Sequence, residues 1–471
     1  MPDAPKPDSL NVAQEFPAVS TAEWEKVITK DLKGGDYEKK LVWRTEEGMA
    51  VRPYYRKENL AGLEAQLSMR CTRTGWEFAQ DALPRAGAIR ADFLFESGAH
   101  SVQQLGYAIA AGVERLAELT AKQPADAAAR EIEFVFAVGS SYFMEIAKLR
   151  AARLLWAQAV SAFGPKDAEA CTMQLLVRTG RRNKSVYDRY TNLLRVTTEA
   201  LSAVIGGCSR LTIEPFGFDD HLALNIQRIL KEESHMDAVA DPAGGSYYIE
   251  ALTDSLAREA WKLFQEVEAA GGYTKALKSG AIEKAIAETR ASREKVLSSR
   301  RRSLVGVNNY PNLLEKTPGM EAPPSMNSPL PQYRIAEPFE KIRQQTEEYA
   351  RTKGRYPKVL LLKRGDAKMK GARATFCMNF FGCTGFDIAE SEDYTGTDAD
   401  LIILCSSDPE YLSIAQEVCP KVKVPVLVAG NPKEQIAELK AAGVQGFVHV
   451  LSDMVDTLTE WQTKLGMGSG Q

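Results

Sequence analysis

A short polar stretch with glycine at each end is the part of this sequence best suited to chemistry. Residues 365–371 read Gly-Asp-Ala-Lys-Met-Lys-Gly and follow the apolar run Val-Leu-Leu-Leu at 359–362. An apolar strand, a polar loop and a helix are the layout of a ligand site at the carboxyl edge of a parallel sheet. Lys368 lies within this loop, but a lysine ammonium has no free lone pair and cannot bind a metal. The stretch therefore predicts the scaffold of a ligand site without its metal chemistry.

The composition excludes several classes of protein. The chain has 471 residues, 44% hydrophobic and 26% charged, as in a soluble globular protein of two to four domains. A net charge of −3 gives no reason to expect binding to nucleic acid or to an anionic membrane. No apolar run approaches the 18 residues that a membrane span needs. The seven cysteines form no CxxC pair and predict reduced thiols in a cytosolic protein, and the four histidines show no metal-ligand spacing.

The middle of the chain, residues 71–316, alternates strands with long helices after an N-terminal segment at 1–70. A helix start is predicted at Ser20, because Glu23 follows three residues later. Repeated strand–helix units predict a parallel sheet with helical cover, as in a (β/α) barrel. A full barrel needs eight strands, so this one is predicted to be truncated to its second half. The four predicted strands are residues 89–95, 132–138, 173–177 and 211–215.

The last third of the chain predicts a second sheet. Residues 317–355 begin with many prolines, which fix φ and remove donors, so an extended linker is expected there. Residues 356–471 contain five strand–helix units, which predict a flavodoxin-like, doubly wound domain. A short helical piece is expected near residue 391. The predicted strands are 358–363, 386–389, 401–405, 424–429 and 446–450.

The middle region contains four distinctive phrases: residues 142–156, Glu-Glu-Ser-His-Met at 232–236, 241–250 beginning Asp-Pro-Ala-Gly-Gly, and Val-Gly-Val-Asn at 305–308. Together these phrases resemble the methylmalonyl-CoA mutase family. The resemblance covers residues 85–465 and includes the order of barrel, linker and cobalamin-binding domain, and residues 1–60 resemble the family's subunit-docking arm. It implies the isomerisation of methylmalonyl-CoA to succinyl-CoA through an adenosyl radical, with adenosylcobalamin supplying the hard chemistry.

The sequence differs from the catalytic members of the family at the positions that contact the substrate in them. Catalytic members have a Tyr-His pair where this sequence has Asp92 and Phe93, and a His-x-Gln pair where it has Leu176 and Arg178. Phenylalanine and leucine can neither hydrogen-bond a thioester carbonyl nor transfer a proton. No catalytic residue is therefore predicted. A basic cluster lies close by in the sequence and consists of Arg178, Arg181, Arg182 and Lys184. It either contacts a phosphate of CoA or belongs to a solvated loop or an interface.

The motifs that bind cobalamin in the family have also lost some of their functional residues in this sequence. The resemblance implies Asp-x-His-x-x-Gly, and this sequence keeps Asp366 and Gly371 but has Lys368 in place of the cobalt-ligating histidine. The family's Ser-x-Leu survives only as Ser406, and its Gly-Gly pair reads Ala429-Gly430. A methyl group at the first glycine position obstructs close approach of a nucleotide to the backbone. No cofactor is predicted for this chain, and adenosylcobalamin is expected in a partner subunit.

These departures predict a small (beta), non-catalytic subunit of a cytoplasmic heterodimer, paired with a catalytic large subunit. The open edges of a truncated barrel are aggregation-prone unless that partner, or a second copy of the chain, covers them. Two alternatives stay open from the sequence. The chain is an active adenosylcobalamin-dependent mutase with altered ligands, or it is a self-associating scaffold or regulatory module.

Overall fold

A computed structural model of the chain describes residues 18–63, 74–78, 84–316 and 320–467. Cys71 and Pro318, which contributed to the sequence predictions, lie outside these ranges, as do the predicted domain boundaries at residues 70 and 317. In the described ranges, every helix is too short or too polar to cross a lipid bilayer.

The N-terminal part begins with the helix that the sequence predicts. The hydroxyl of Ser20 accepts the Glu23 N–H, and the Glu23 carboxylate accepts the Ser20 N–H, so the capping box is present. None of the side chains of this helix is buried. An antiparallel hairpin follows it. The elements are α1 (Thr21–Asp31), α2 (Tyr37–Lys40), β1 (Trp43–Arg44) and β2 (Ala50–Val51).

Five parallel strands form the first sheet. They are β3 (Glu77–Phe78), β4 (Ile89–Arg90), β5 (Glu133–Val138), β6 (Gln174–Thr179) and β7 (Arg210–Thr212). Their spatial order is β3–β7–β6–β5–β4, and every neighbouring pair is parallel. β5 and β6 are the longest strands and lie inside the sheet, and their apolar residues are buried, as in a sheet that is covered on both faces.

One face of this sheet packs against long helices. The rings of Phe134 on β5 and Trp156 lie 4.8 Å apart, edge to face. A Cβ at Gly112 would lie 2.5 Å from Phe134, so only glycine allows this close packing. The helices of this region are α3 (Ala91–Ser97), α4 (Ser101–Thr120), α5 (Ala125–Glu131), α6 (Tyr142–Ser161), α7 (Arg189–Ile205), α8 (Asp220–Arg228), α9 (Tyr247–Ala269), α10 (Tyr273–Lys278) and α11 (Ala281–Ser298).

The opposite face of the first sheet is covered by residues just before β4. Ala88 packs against the buried side chains of Val135 and Leu176. The Arg85 N–H donates to the Glu133 carboxylate at 2.8 Å, and the Arg210 guanidinium donates to the other oxygen of that carboxylate at 2.8 Å. The face is therefore covered by this chain itself at these positions, without a second chain.

Two sequence predictions for this region need correction. The strand predicted at 89–95 ends at Arg90, and α3 begins at Ala91. β4 lies at the edge of the sheet, where a longer strand would leave backbone groups unpaired on its outer side, whereas a helix pairs them internally. The predicted number of strands is also too low, since β3 is a fifth strand of only two residues.

The second sheet also contains five parallel strands. They are β8 (Lys358–Lys363), β9 (Asp387–Ser391), β10 (Leu401–Cys405), β11 (Val426–Ala429) and β12 (Gly446–Val448). Their spatial order is β12–β11–β10–β8–β9, so β8 lies between β9 and β10. Helices cover both faces of the sheet. They are α12 (Glu337–Lys353), α13 (Ala367–Gly382), α14 (Tyr411–Val418), α15 (Ile436–Ala441) and α16 (Met454–Lys464).

Helix α12 corrects the prediction of an extended linker over its own residues. Pro338 lies in the first turn of this helix, where a proline costs no hydrogen bond. The Gln462 amide of α16 donates to the Ile342 carbonyl at 2.6 Å and thereby ties α12 to the second sheet's helices. The short helix predicted near residue 391 is wrong, because β9 runs through Ser391 and residues 392–400 contain only turns and bends.

The buried carboxylate of Glu133 gives a direct test of this arrangement. Glu133→Ala leaves the Arg85 N–H and the Arg210 guanidinium without their acceptor, so we expect the free energy of unfolding to fall by roughly 2–3 kcal/mol. Urea unfolding at neutral pH measures the change. Glu288→Ala, at an exposed position on α11, serves as the control and should have little effect. Equal effects of the two substitutions would contradict the packing of residues 85–88 on this face.

Candidate functional site

The carboxyl edge of the first sheet carries a network of paired charges. The Arg90 guanidinium binds both carboxylate oxygens of Asp92, at 2.8 and 2.7 Å. Arg178 lies 3.8 Å from Asp92 and also pairs with Glu214. Arg181 pairs with the other oxygen of Glu214. Two carboxylates and three guanidinium groups are thus paired with one another, with one net positive charge, where the strands of a parallel sheet present their ligand-binding ends.

The structure brings together three of the four positions at which the sequence departs from the catalytic pattern. Asp92 and Arg178 belong to the charge network, and the Arg90 guanidinium lies 3.8 Å from the centre of the Phe93 ring. Leu176 is fully buried on the same side of β6, two residues before Arg178. Burial lowers the pKa of the Arg178 guanidinium, and the Asp92 charge opposes that shift. These groups bind one another and offer no free acid or base.

The residues of the predicted basic cluster contact other residues of the same chain. The Arg181 N–H donates to the Glu96 carboxylate at 2.8 Å, and burial raises the pKa of that carboxyl. Arg182 stacks 3.8 Å over the Phe95 ring, and burial lowers its pKa to about 10. Lys184 is buried and contacts both carboxylate oxygens of Glu199 at 2.7 Å. A cluster committed to these contacts does not form a free phosphate site.

A small cavity lies beside this cluster, beneath the turn of the N-terminal hairpin. Its volume is about 60 Å³, enough for a few water molecules and too small for an acyl-CoA. Glu46, Glu47, His100 and Arg293 are among its lining residues. Among the described residues, no group of three or more His, Cys, Asp or Glu side chains could hold a metal ion.

The sequence predicts a polar loop over residues 365–371 after β8, but the loop in the structure is shorter. Asp366 is the N-cap of α13, and its carboxylate accepts the Met369 N–H at 2.7 Å. The helix therefore begins at Ala367, and Lys368 and Gly371 lie on its surface rather than in a loop. A Cβ at Gly371 would meet no atom within 4 Å, so nothing here requires a glycine.

Glu410 fills the crevice between the loops that follow β8 and β10. Its Oε2 atom accepts the hydroxyls of Ser406 at 2.6 Å and Ser407 at 2.5 Å, and the Asp366 N–H at 3.1 Å. These hydrogen bonds favour the charged form and lower the pKa of Glu410 to about 2, with Ser406 as the largest cause. Gly365 has φ of +74°, and a Cβ there would lie 2.2 Å from this carboxylate. The crevice is thus occupied by a side chain of the protein itself.

The buried Tyr411 closes the next part of this edge. Its hydroxyl donates to the Ala429 carbonyl at 2.6 Å and accepts the Ser406 N–H at 3.2 Å. Burial raises the pKa of this phenol. A Cβ at Gly430 would lie only 3.3 Å from the Tyr411 ring, so a side chain at this position would be tightly packed. Ser406, Ala429 and Gly430 therefore bind Tyr411 and Glu410 rather than leaving a groove.

Sequence reasoning missed the residues that fill both edges, namely Arg90, Glu214, Glu410 and Tyr411. Only Glu410 carried a usable local signal, because the order Ser407-Asp-Pro-Glu410 is the spacing of a capping box. The pairing of Glu214 with Arg178 depends on the tertiary fold, since the two residues lie 36 positions apart and on different strands or loops.

The comparisons with known proteins agree with one another. The sequence model of the methylmalonyl-CoA mutase family matches residues 51–353. A methylmalonyl-CoA mutase small subunit from Porphyromonas gingivalis is 32% identical over 96% of this chain and 98% of that protein. One from Streptomyces virginiae is 35% identical over 79% of this chain and 63% of that protein, and the Escherichia coli methylmalonyl-CoA mutase is 37% identical over 46% of this chain and 31% of its own length.

The alignment with the Porphyromonas protein also reveals a difference in length. It extends over 613 positions, although this chain has only 471 residues. The relative therefore contains a large number of positions that have no counterpart here. The matched part of this chain spans less than two thirds of the Streptomyces protein.

The lowered pKa of Glu410 predicts an acid-dependent contribution to stability. Because the folded pKa is depressed from 4.5 to about 2, the contribution is complete above pH 4.5 and is lost as the pH falls towards 2. Glu410→Gln should therefore lower the urea midpoint at pH 7, and its difference from the wild type should shrink between pH 4.5 and 2. Glu438→Gln, at an exposed position of α15, is the control. A difference independent of pH would contradict this assignment.

Proposed function

This chain belongs to the methylmalonyl-CoA mutase family, and we propose that it is a non-catalytic small subunit that stabilises a catalytic large subunit. The large subunit would isomerise methylmalonyl-CoA to succinyl-CoA in the complex. The observation that carries the proposal is that internal side chains fill the carboxyl edges of both sheets. At such an edge the paired carboxylates, guanidinium groups and hydroxyls are directed at one another rather than at a substrate.

The first edge supports a non-catalytic role through its chemistry. Asp92 is only 1% exposed and already holds two guanidinium groups, so it is not available to abstract a proton. Phe93 and Leu176 have no group that transfers a proton or hydrogen-bonds a carbonyl. Catalysis by electrostatic preorganisation requires donors aimed at a developing charge, and the guanidinium groups here point at Asp92 and Glu214 instead.

Adenosylcobalamin, which the family resemblance implies, does not fit the residues at the second edge. Lys368 replaces the cobalt-ligating histidine and lies exposed on α13, where an ammonium has no lone pair to give. The Glu410 carboxylate fills the crevice beside Asp366, and the Tyr411 hydroxyl is bound to the Ala429 carbonyl next to Gly430. We therefore assign no step of a reaction to this chain, and we place the cofactor in the partner subunit.

The N-terminal helix supports docking to a partner. Trp24, Val27 and Ile28 follow the i, i+3, i+4 spacing of one helical face, yet none of the side chains of α1 is buried. Trp24 stacks on the Tyr54 ring, with 4.6 Å between the ring centres, but stays 44% exposed, and Val27 is 56% exposed. This face therefore still has apolar surface that a groove on a partner could bury. The large subunit is the partner that the family suggests.

We also propose the finer organisation of the chain. Residues 1–70 are the docking arm, 71–316 a truncated TIM-type barrel, 317–355 a linker that ends in helix α12, and 356–471 a degenerate cobalamin-binding-like domain. The spatial order β9–β8–β10–β11–β12 supports a flavodoxin-like assignment for the last of these. The sequential parallel neighbours β4 to β7 support a barrel-type origin of the first sheet. A cytoplasmic location is supported by the six described cysteines, since no disulfide joins any two of them.

The docking proposal is tested with the purified chain and the catalytic large subunit of the same organism. Trp24→Ala combined with Val27→Ala should raise the dissociation constant of the complex about thirtyfold or more, as expected for a tryptophan anchor. The same variant should no longer protect the large subunit's activity against heating. Sedimentation velocity measures the first effect and residual activity the second.

Val239→Ala is the matched control, because Val239 is equally apolar and 58% exposed but lies far from α1 in the sequence. An unchanged dissociation constant for the α1 variant would contradict the docking role of this helix. A stable dimer of the chain alone, together with no binding to the large subunit, would favour the self-associating scaffold instead.

A further inference from the structure

Donors from two separate loops converge on one oxygen of Glu410. The Asp366 N–H comes from the loop after β8, at 3.1 Å. The Ser406 hydroxyl at 2.6 Å, the Ser407 hydroxyl at 2.5 Å and the Ser407 N–H at 3.3 Å come from the loop after β10. Hydroxyls and main-chain N–H groups around one point are the means by which proteins hold oxyanions. We propose that this crevice is an oxyanion-binding site whose ligand is the chain's own Glu410 carboxylate.

The position of the crevice supports a ligand site independently of its hydrogen bonds. β8 pairs with β9 on one side and with β10 on the other, so the direction of the strand order reverses at β8. In open parallel sheets, ligands bind in the crevice outside the carboxyl ends of the strands at such a reversal. The Glu410 carboxylate lies between the loops of β8 and β10, at this point of the sheet.

The donors are held in place by residues other than Glu410. Ser406 is fully buried, and its N–H is bound by the Tyr411 hydroxyl, which is itself anchored on the Ala429 carbonyl. The loop after β8 is tied to β10 by the hydrogen bond from the Arg364 N–H to the Cys405 carbonyl. Asp366 is further fixed as the N-cap of α13. The cradle is therefore expected to persist when the Glu410 carboxylate is removed.

A local turn explains only part of the arrangement. The exchange of hydrogen bonds between Ser407 and Glu410 is an ordinary capping box at the short turn 408–410. That box needs neither Ser406 nor Asp366, yet both direct a donor at the same oxygen. Gly365, with φ of +74°, brings its backbone so close that any side chain there would collide with the carboxylate. The shape and the extra donors thus suit a carboxylate-sized group.

The tethered carboxylate also explains why this site would stay closed to other anions. Glu410 lies three residues from Ser407, so its effective concentration at the crevice is in the millimolar range or above. An external carboxylate or phosphate must compete with that concentration. Because Glu410 is only half-buried, a small anion could reach the crevice from solvent once the side chain is removed. The class of ligand is a small oxyanion, and the site requires no partner subunit.

Chemical rescue of a truncated side chain tests the proposal. Glu410→Ala should melt at a lower temperature than the wild type, and sodium acetate should raise that temperature by about 2–4 °C in a saturable manner. Sodium chloride keeps the ionic strength constant. Inorganic phosphate is the second probe, and its effect distinguishes a carboxylate site from a general oxyanion site. The wild type and Glu410→Gln should show no saturable response, since a side chain still fills the crevice.

Two further variants make the test decisive. Ser406→Ala in the Glu410→Ala background should lose the response to acetate, whereas Glu438→Ala should behave as the wild type. If Glu410→Ala does not fold, Glu410→Ser replaces it, because this change also removes the carboxylate and leaves space for acetate. The proposal would be overturned if no anion raised the melting temperature of the truncated variants more than it raised that of Glu438→Ala.

Discussion

The rest of the structure depends on charged and polar groups that bind one another at the carboxyl edges of two parallel sheets. A parallel sheet directs the ends of all its strands to one edge, where loops, helix starts and unpaired donors meet. In this chain those groups bind one another: Asp92 holds Arg90 and Arg178, and Glu410 holds Ser406 and Asp366. Our proposal that this chain is non-catalytic rests on this filling of both edges.

The energetics of these contacts explain why the filling side chains are polar. Arg178, Ser406 and the N–H groups of the loops lose water when the edge closes, and a buried donor without an acceptor costs about 1–3 kcal/mol. A carboxylate satisfies several donors at once, as the Glu410 oxygen does for Ser406, Ser407 and Asp366. Removing one partner of such a network is costly, whereas the intact network adds little over apolar packing. The edges thus stay closed because removing any one of these side chains would leave its partners buried and unpaired.

The sequence predicted the central elements well and the edges poorly, for physical reasons. The strands at 358–363 and 401–405 were predicted with their observed bounds, because each is a continuous apolar run between polar residues. Residues 89–95 were predicted as a strand and form α3 after Arg90, since a short apolar run fits either structure until its neighbours are known. Glu214 and Tyr411 gave no local signal, because their roles depend on partners from other strands. The capping-box spacing of Glu410 was present but not recognised.

The number of cobalamin molecules bound by the chain and by its complex tests the account most directly. Titration of adenosylcobalamin, followed by its visible spectrum, should show no stoichiometric change with the isolated chain and one equivalent bound per complex with the large subunit. The closed edge at Glu410 and the exposed Lys368 require this result. One equivalent bound by the isolated chain, or two per complex, would contradict the claim that internal side chains have replaced the cofactor at the second sheet.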